Sequence, residues 1–189
     1  MPDSDPAKTA LLLMDFQNAI VARANDPHLP ERAARLRAAA RKKGLAVMHV
    51  RVAFTEADYA VAPRNKMFAP LVQSRAFTDG EPATAIHEAL APAADEEVFR
   101  KIRVGALTIP ALQNRLKERG IDTLVLAGIS TSGVVLSTVR DAADRDYRLI
   151  IVSDCCGDAD PQVHRVLMEK VFPRQADIVT LEDFANIPV

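Results

Sequence analysis

An aspartate, a lysine and a small polar turn each follow a short apolar run of this sequence. Asp15 comes after five apolar residues, and partial desolvation raises the pKa of a carboxyl group, which suits proton transfer near neutral pH. Lys101 ends a later run, where an ammonium group can hold a carboxylate or stabilise developing negative charge. The segment Gly128-Ile129-Ser130-Thr131-Ser132-Gly133-Val134 opens a predicted helix, whose free N–H groups and dipole favour an anion or oxyanion. Each feature also has an ordinary interpretation: a turn aspartate, a solvated cation, and a strand-to-helix turn capped by serines.

The elements that would position these residues alternate along the chain. Short apolar runs predict six strands and amphipathic stretches predict five helices, the pattern of an α/β fold with a parallel sheet buried on both faces. The predicted strands are residues 9–16, 45–52, 97–101, 122–128, 148–154 and 177–180. The predicted helices are residues 30–43, 82–90, 108–119, 133–146 and 161–172. Because ligands bind beyond the carboxyl ends of the strands of an open parallel sheet, we expect the site at that edge.

No repeat or low-complexity linker divides the sequence, which predicts a single domain over residues 1–189. The one long connection, residues 53–81, carries several aromatic and basic side chains. In a compact α/β domain such a connection is usually a lid or a substrate loop. A solvent-exposed excursion is the alternative.

Composition limits the classes of function. The chain has 189 residues, 49% of them hydrophobic and 26% charged, with a net charge of −1, which excludes disordered, collagen-like and coiled-coil proteins. A near-neutral balance without a basic block is unlike a nucleic-acid-binding protein, so we expect a small-molecule substrate and no nucleic acid. No apolar stretch approaches the roughly 20 residues needed to span a bilayer, and the first residues do not resemble a secretory signal. These features favour a cytoplasmic protein that does not bind a membrane.

The ordered motifs resemble one family. Asp15, then Lys101, then Gly128-x-x-Thr131-x-x-x-Val-x-x-Thr138-x-x-Asp141-Ala142 resemble the isochorismatase-like hydrolase superfamily over residues 9–180. That superfamily includes nicotinamidases, N-carbamoylsarcosine amidases and isochorismatases. The resemblance implies a three-layer α/β/α sandwich with strand order 3-2-1-4-5-6, and it implies a homo-oligomer, either a dimer or a tetramer.

The resemblance also assigns roles within the site. The family's catalytic aspartate and lysine correspond to Asp15 and Lys101. A non-proline cis peptide would fall between Ile129 and Ser130, so that amide groups of the turn point at an oxyanion. The substrate and oxyanion turn then comprises Ile129, Ser130, Thr131 and Val134.

One position departs from the amidase members of the family. Their nucleophilic cysteine corresponds to Val134, which cannot attack a carbonyl group. Another alignment register would bring in Ser130, Ser132 or Ser137, but the spacing from Gly128 and to Thr138 favours Val134. The two cysteines, Cys155 and Cys156, are expected on a different loop after the fifth strand. As neighbours on one strand or turn they form neither a disulfide framework nor a metal-binding Cys-x-x-Cys pair.

Neither a metal nor a cofactor is expected. The Asp-x-His pair of the nicotinamidase metal site is missing after the second strand, which reads His49-Val50-Arg51-Val52-Ala53-Phe54. His28, His49, His87 and His164 lack the spacing of metal ligands. We interpret His49 as a strand histidine whose ring is satisfied by local hydrogen bonds.

Isochorismatases indicate what a member without cysteine can do. They have glycine at the nucleophile position, and their aspartate acts as a general acid on a vinyl ether. Asp15 and Lys101 would suffice for such chemistry, although the branched Val134 disfavours isochorismate itself. We therefore predict a hydrolase of a small organic metabolite that uses cysteine-independent acid–base chemistry. The alternatives are a catalytically silent member that serves as a binding or assembly module, and a cysteine hydrolase that uses Cys155 or Cys156.

Overall fold

A computed structural model describes residues 5–24, 26–60 and 64–186. Its centre is a six-stranded sheet in the order β3-β2-β1-β4-β5-β6, and every neighbouring pair is parallel. The strands are β1 Thr9–Met14, β2 Ala46–Val52, β3 Glu97–Lys101, β4 Thr123–Ile129, β5 Arg148–Gly157 and β6 Asp177–Val179. The predicted α/β class and strand order are confirmed.

Helices cover both faces of this sheet. They are α1 Asn18–Val21, α2 Leu29–Lys42, α3 Glu56–Tyr59, α4 Ala69–Gln73, α5 Pro110–Glu118, α6 Leu136–Ala143, α7 Pro161–Val166 and α8 Leu181–Asn186. Short 3-10 turns occupy Pro6–Lys8, Pro82–Thr84, Glu88–Leu90, Ala106–Thr108 and Phe172–Arg174. One π-helical turn, Thr131–Val135, precedes α6, and another, Leu167–Val171, follows α7. No described helix has the length and apolar character that a membrane crossing requires.

The central strand β1 shows how the layers form. Its side chains alternate between the two faces of the sheet. Leu12 and Met14 belong to the core that α5 and α6 cover, whereas Leu11 and Leu13 belong to the core that α2 and α8 cover. All six residues of β1 are buried, so the residue that follows the strand begins in the interior of the molecule.

Glycines end two of the helices as the sequence predicts. Gly44 follows α2 with φ of 81°, and Gly120 follows α5 with φ of 62°. These left-handed conformations carry little steric cost only where the residue has no Cβ. Each glycine turns the chain directly into the next strand.

The predicted helix over residues 82–90 is wrong. Two 3-10 turns stand there, separated by extended backbone at Ala85 and His87. The intervening segment pairs with the residues that follow β1: the His87 amide donates to the Phe16 carbonyl at 2.8 Å, and Ile86 forms an antiparallel bridge with Gln17. Backbone hydrogen bonds to a distant segment thus replace those of a local helix.

The predicted end of the fifth strand is also wrong. Strand β5 continues to Gly157, because Cys156 pairs with Gly128 beyond a register shift between Leu126 and Gly128. Cys155 and Cys156 therefore lie within the sheet and not on a loop. Two other predicted helices are each divided in the structure. The predicted helix over residues 133–146 begins within the π-helical turn that precedes α6. The predicted helix over residues 161–172 consists of α7 followed by a second π-helical turn.

The long connection, residues 53–81, folds against the carboxyl edge of the sheet. Residues 61–63 of the predicted lid lie outside the described residues. In the described part, Phe54 and Phe68 form a small buried cluster with Val52, and the Phe54 amide donates to the Phe77 carbonyl at 2.8 Å. This packing places α4 over the end of β2. The single-domain assignment of residues 1–189 stays a prediction.

Candidate functional site

Asp15 and Lys101 form a buried ion pair at the carboxyl edge of the sheet. Asp15 follows β1, and Lys101 is the last residue of β3, two strands away. The Lys101 Nζ lies 2.7 Å from Asp15 Oδ2, and the two residues are only 4% and 5% exposed. Nζ also donates to the Arg103 carbonyl at 3.1 Å. The predicted proximity of the two side chains is confirmed.

Burial dominates the electrostatics of this pair. Desolvation raises the pKa of Asp15, while the charge and hydrogen bond of Lys101 lower it, and the net direction is upward. Asp15 Oδ1 is buried and has no hydrogen-bond partner among the residues that the structure describes. An unpaired buried oxygen is costly, so this atom is available to a bound molecule.

Backbone and side-chain hydrogen bonds fix the position of Asp15. Its φ is 60°, a conformation that aspartate adopts more readily than most residues. The Asp15 amide donates to the Val50 carbonyl at 2.8 Å. Gln17, fully buried, donates from Nε2 to the carbonyls of Val52 and Thr84, and its Oε1 accepts from the Val52 amide. Gln17 thereby joins the ends of β1 and β2 to the segment that follows the long connection.

The turn after β4 has the cis peptide bond that the family resemblance implies. The Ile129–Ser130 peptide bond is cis. A Cβ at Gly133 would lie 2.6 Å from Ser130 Oγ, so a larger residue there would force the Ser130 hydroxyl to move. On the side of β5, the Ser132 amide donates to Asp158 Oδ2 at 2.7 Å, and Thr131 Oγ1 lies 2.8 Å from His164 Nδ1. Asp158 and His164 thus fix the position of the turn through hydrogen bonds to Ser132 and Thr131. The sequence gives no reason to select either residue.

An open cavity of about 320 Å³ adjoins the ion pair. Asp15, Lys101, Ile129, Ser130 and Val134 line it, so these predicted site residues lie together. Thr131 is buried and does not line it. Val134 is 2% exposed and forms part of the wall without filling the space. A separate cavity of about 480 Å³ lies at the opposite edge of the sheet, where Arg41 pairs with Asp95 and Glu96.

The long connection supplies much of the apolar wall of this cavity. Met67, Phe68, Leu71 and Phe77 all line it. That the connection acts as a lid or substrate loop stays a prediction. These lining side chains could not be selected from the sequence, because the connection has no periodic pattern.

Comparisons with known proteins agree with this geometry. The family model described as "Isochorismatase domain" matches residues 9–183. The chain belongs to the isochorismatase family. It is 32% identical to maleamate amidohydrolase of Pseudomonas putida, covering 93% of this chain and 84% of that one. It is 34% identical to the isochorismatase-family protein YecD of Escherichia coli, covering 94% and 95%. A solved isochorismatase-family structure from Burkholderia thailandensis superposes with a TM-score of 0.83 at 28% identity, covering 96% of each chain.

The two cysteines of this family member do not belong to the cavity lining. Cys155 and Cys156 are both buried within β5, and neither lines the cavity. Burial raises the pKa of the Cys156 thiol to about 12. Burial and the neighbouring Asp154 raise the pKa of Cys155 as well. Both thiols are therefore protonated at neutral pH, and thiolate, the reactive form, is scarce.

Thiol labelling tests this assignment. Treatment of the folded protein with iodoacetamide is expected to leave turnover unchanged, with labelling of Cys155 and Cys156 measured by mass spectrometry. Val134→Cys serves as the positive control, because it places a thiol in the cavity wall beside Asp15, and we expect this thiol to be labelled first. Loss of activity on stoichiometric labelling of the unmodified protein, with protection by substrate, would contradict the assignment.

The absence of a metal requirement stays a prediction. The described residues contain no group of three or more His, Cys, Asp and Glu side chains placed to hold a metal ion. His49 instead lies 2.9 Å from Glu96 Oε2, as expected for a satisfied strand histidine. Dialysis against EDTA is expected to leave the turnover rate and the melting temperature unchanged. Stoichiometric zinc in protein purified without added metal, lost together with activity, would be the opposite result.

Proposed function

We propose that this isochorismatase-family protein hydrolyses a small organic metabolite by acid–base chemistry on Asp15 and Lys101, without a thiol nucleophile. One observation carries the proposal: Asp15 lines an open cavity with one carboxyl oxygen paired to Lys101 and the other without a partner among the described residues. A carboxyl group with a raised pKa can be protonated near neutral pH and can give up that proton in the transition state.

The proton balance of the reaction involves one carboxyl group and one water molecule. Protonated Asp15 donates from Oδ1 to the leaving nitrogen or oxygen as its bond to carbon breaks. Lys101 stabilises the resulting carboxylate through Oδ2, which it contacts at 2.7 Å. Water adds to the carbon, and the proton that it releases returns to Asp15. The carboxyl group thus ends the cycle in its starting state.

The turn after β4 completes the proposed site. Ser130 and Ile129 line the cavity, and Val134 contributes an apolar wall where amidases of the family have their nucleophile. Thr131, although predicted as a substrate-turn residue, is assigned a supporting role through His164. In this arrangement the turn binds substrate and polarises it, whereas Asp15 transfers the proton.

The relatives suggest which bonds to test. Among them are amidohydrolases of maleamate and of ureidoacrylate, and enterobactin synthase component B, at 25% identity. A panel of small amides, ureido acids and enol ethers, assayed for released ammonia or carbonyl product, tests the proposed function. Hydrolysis of a member of the panel by the unmodified protein, lost in Asp15→Asn, is the expected result.

The second candidate is a catalytically silent family member that binds a small molecule or assembles with other proteins. Val134 at the nucleophile position favours it. The retained Asp15–Lys101 pair favours an enzyme, because a buried ion pair adds little stability over apolar residues of similar size. Binding of panel compounds without turnover would support the silent alternative.

Location and assembly complete the proposal. We infer a cytoplasmic homo-oligomer of two or four chains that binds no nucleic acid. The near-neutral charge and the resemblance to oligomeric families support this. Sedimentation at micromolar concentration measures the assembly directly.

A further inference from the structure

One side-chain hydrogen bond joins the turn after β4 to α7. Thr131 Oγ1 lies 2.8 Å from Nδ1 of His164, a half-buried residue of α7. Thr131 directly follows Ser130, which lines the cavity, whereas neither Thr131 nor His164 belongs to the lining. The hydrogen bond therefore acts on the cavity through the backbone of the turn and not by contact with a bound molecule.

The burial of Thr131 decides the direction of this hydrogen bond. Thr131 is 0% exposed, and across residues 5–24, 26–60 and 64–186 its hydroxyl group has no partner other than His164. A buried hydroxyl hydrogen without an acceptor is costly. The hydroxyl group is satisfied when it donates to an unprotonated Nδ1, which places the ring hydrogen of neutral His164 on Nε2.

Burial of the ring outweighs the charge beside it. α7 packs against the π-helical turns Thr131–Val135 and Leu167–Val171, and the first of these has no titratable side chain. Asp158 raises the pKa of His164, whereas burial lowers it, and the net direction is downward. His164 is therefore neutral at pH 7. The other charged residues of α7, its N-cap and the second turn are all exposed: Asp160, Arg165, Glu169 and Lys170.

We propose that His164 is a positioning residue whose neutral ring accepts the Thr131 hydrogen bond and so fixes the turn where it binds substrate, and that protonation of the ring disrupts this bond. The inference rests on the proposed function, which gives the turn its part in the reaction. A protonated imidazole has two N–H groups and no acceptor, so the Thr131 hydroxyl hydrogen loses its only acceptor among the described residues. The Ser132 amide still donates to Asp158, so the turn shifts at Thr131 and does not unfold.

The site then has two titrating groups with opposite requirements. Turnover needs His164 without its extra proton and Asp15 with its proton. The rate falls on the acidic side as His164 is protonated and on the alkaline side as Asp15 ionises. The acidic limb of the rate profile is thus set by a residue outside the cavity lining.

NMR spectroscopy of the substrate-free protein tests the hydrogen bond without turnover. Long-range ¹H–¹⁵N spectra of the His164 ring are expected to show hydrogen on Nε2 at neutral pH. The backbone amides of residues 130–133 should shift with the same midpoint as the ring. Thr131→Val, which removes the hydroxyl group at nearly constant volume, should abolish most of the amide response while the ring still titrates. Hydrogen on Nδ1 at neutral pH, turn amides that do not follow the ring, or an undiminished response in Thr131→Val would each overturn the proposal.

Substitution of His164 separates positioning from packing. His164→Asn keeps an amide oxygen near the place of Nδ1 but cannot titrate, so it should retain most of the turnover and lose the acidic limb. His164→Phe removes the acceptor and should lower turnover roughly tenfold on the plateau of the rate profile, less than the 10²-fold cost of about 1 Å of misplacement, because Asp158 still binds Ser132.

His28→Asn is the matched control, because His28 is exposed and does not line the cavity, and it should leave the acidic limb in place. An acidic limb that persists in His164→Asn, or full turnover in His164→Phe, would overturn the proposal. A ring and turn that titrate together through Thr131, in a protein that hydrolyses nothing, would leave the positioning role of His164 standing and overturn only the proposed function.

Discussion

Replacing Asp15 with asparagine is expected to lower the turnover number by about 10²–10⁴-fold, the usual contribution of a general acid. The amide has nearly the shape of the carboxyl group, and its oxygen can still accept a hydrogen bond from Lys101, but it has no proton to transfer. The measurement is turnover at saturating substrate, with the melting temperature and circular dichroism as checks that the fold is retained.

Asp144→Asn is the matched control for this experiment. Asp144 is exposed after α6 and does not line the cavity, so the same chemical change there should leave turnover unchanged. An Asp15→Asn variant that folds normally and keeps its full rate would rule out proton transfer by Asp15.

Replacing Lys101 with methionine is expected to have the second largest effect, lowering turnover by about 10²-fold or more. A charged donor that stabilises developing negative charge typically contributes this much. The pH dependence supplies a more specific readout. Lys101 lowers the pKa of Asp15, so without it the pKa rises further and Asp15 keeps its proton to higher pH. The alkaline limb of the rate profile, where the acid loses its proton, should move to higher pH.

The direction of that shift distinguishes an electrostatic role of Lys101 from a purely structural one. If Lys101 only packed the interior, Lys101→Met would change the melting temperature but leave the alkaline limb in place. A limb that moves to lower pH would contradict the ion-pair account. Arg103→Met controls for the loss of a nearby cation, because Arg103 contacts Lys101 through its backbone carbonyl and not through its side chain.

The strands of the sheet could be predicted because each one is specified by residues that are adjacent in the sequence. Each apolar run is long enough to specify a buried strand, and glycines such as Gly44 mark where a helix must end. The strand order, which the family resemblance implied, then placed Asp15 and Lys101 at one edge. The segment at residues 82–90 could not be predicted, since its backbone bonds to Phe16 and Gln17, which are distant in sequence. The extension of β5 depended in the same way on a register shift against β4.

The sequence selected residues at the ends of strands that the structure brings to one cavity, but it did not select the residues of the connections that line the same cavity. Asp15, Lys101 and Ser130 follow or end strands, and their roles were predicted from the ordered set of motifs that resembles the family and not from position alone. Arg23 and Phe77 stand in connections without periodicity, and only the folded chain shows that they line the same cavity as Asp15. The sequence does not single out Gln17, because the role of a glutamine after a strand is visible only from its three hydrogen bonds to the backbone of distant residues.

The burial of both cysteines within β5 has a consequence for the protein's chemical durability. Peroxide attacks thiolate rather than thiol, and accessible thiolates are converted to sulfenic and then to irreversible sulfinic acid. Here both thiols are buried and held protonated by their raised pKa, and position 134 presents hydrocarbon to the cavity. Among the described residues that line the cavity there is no cysteine, so turnover should persist at peroxide concentrations that oxidise an accessible thiolate.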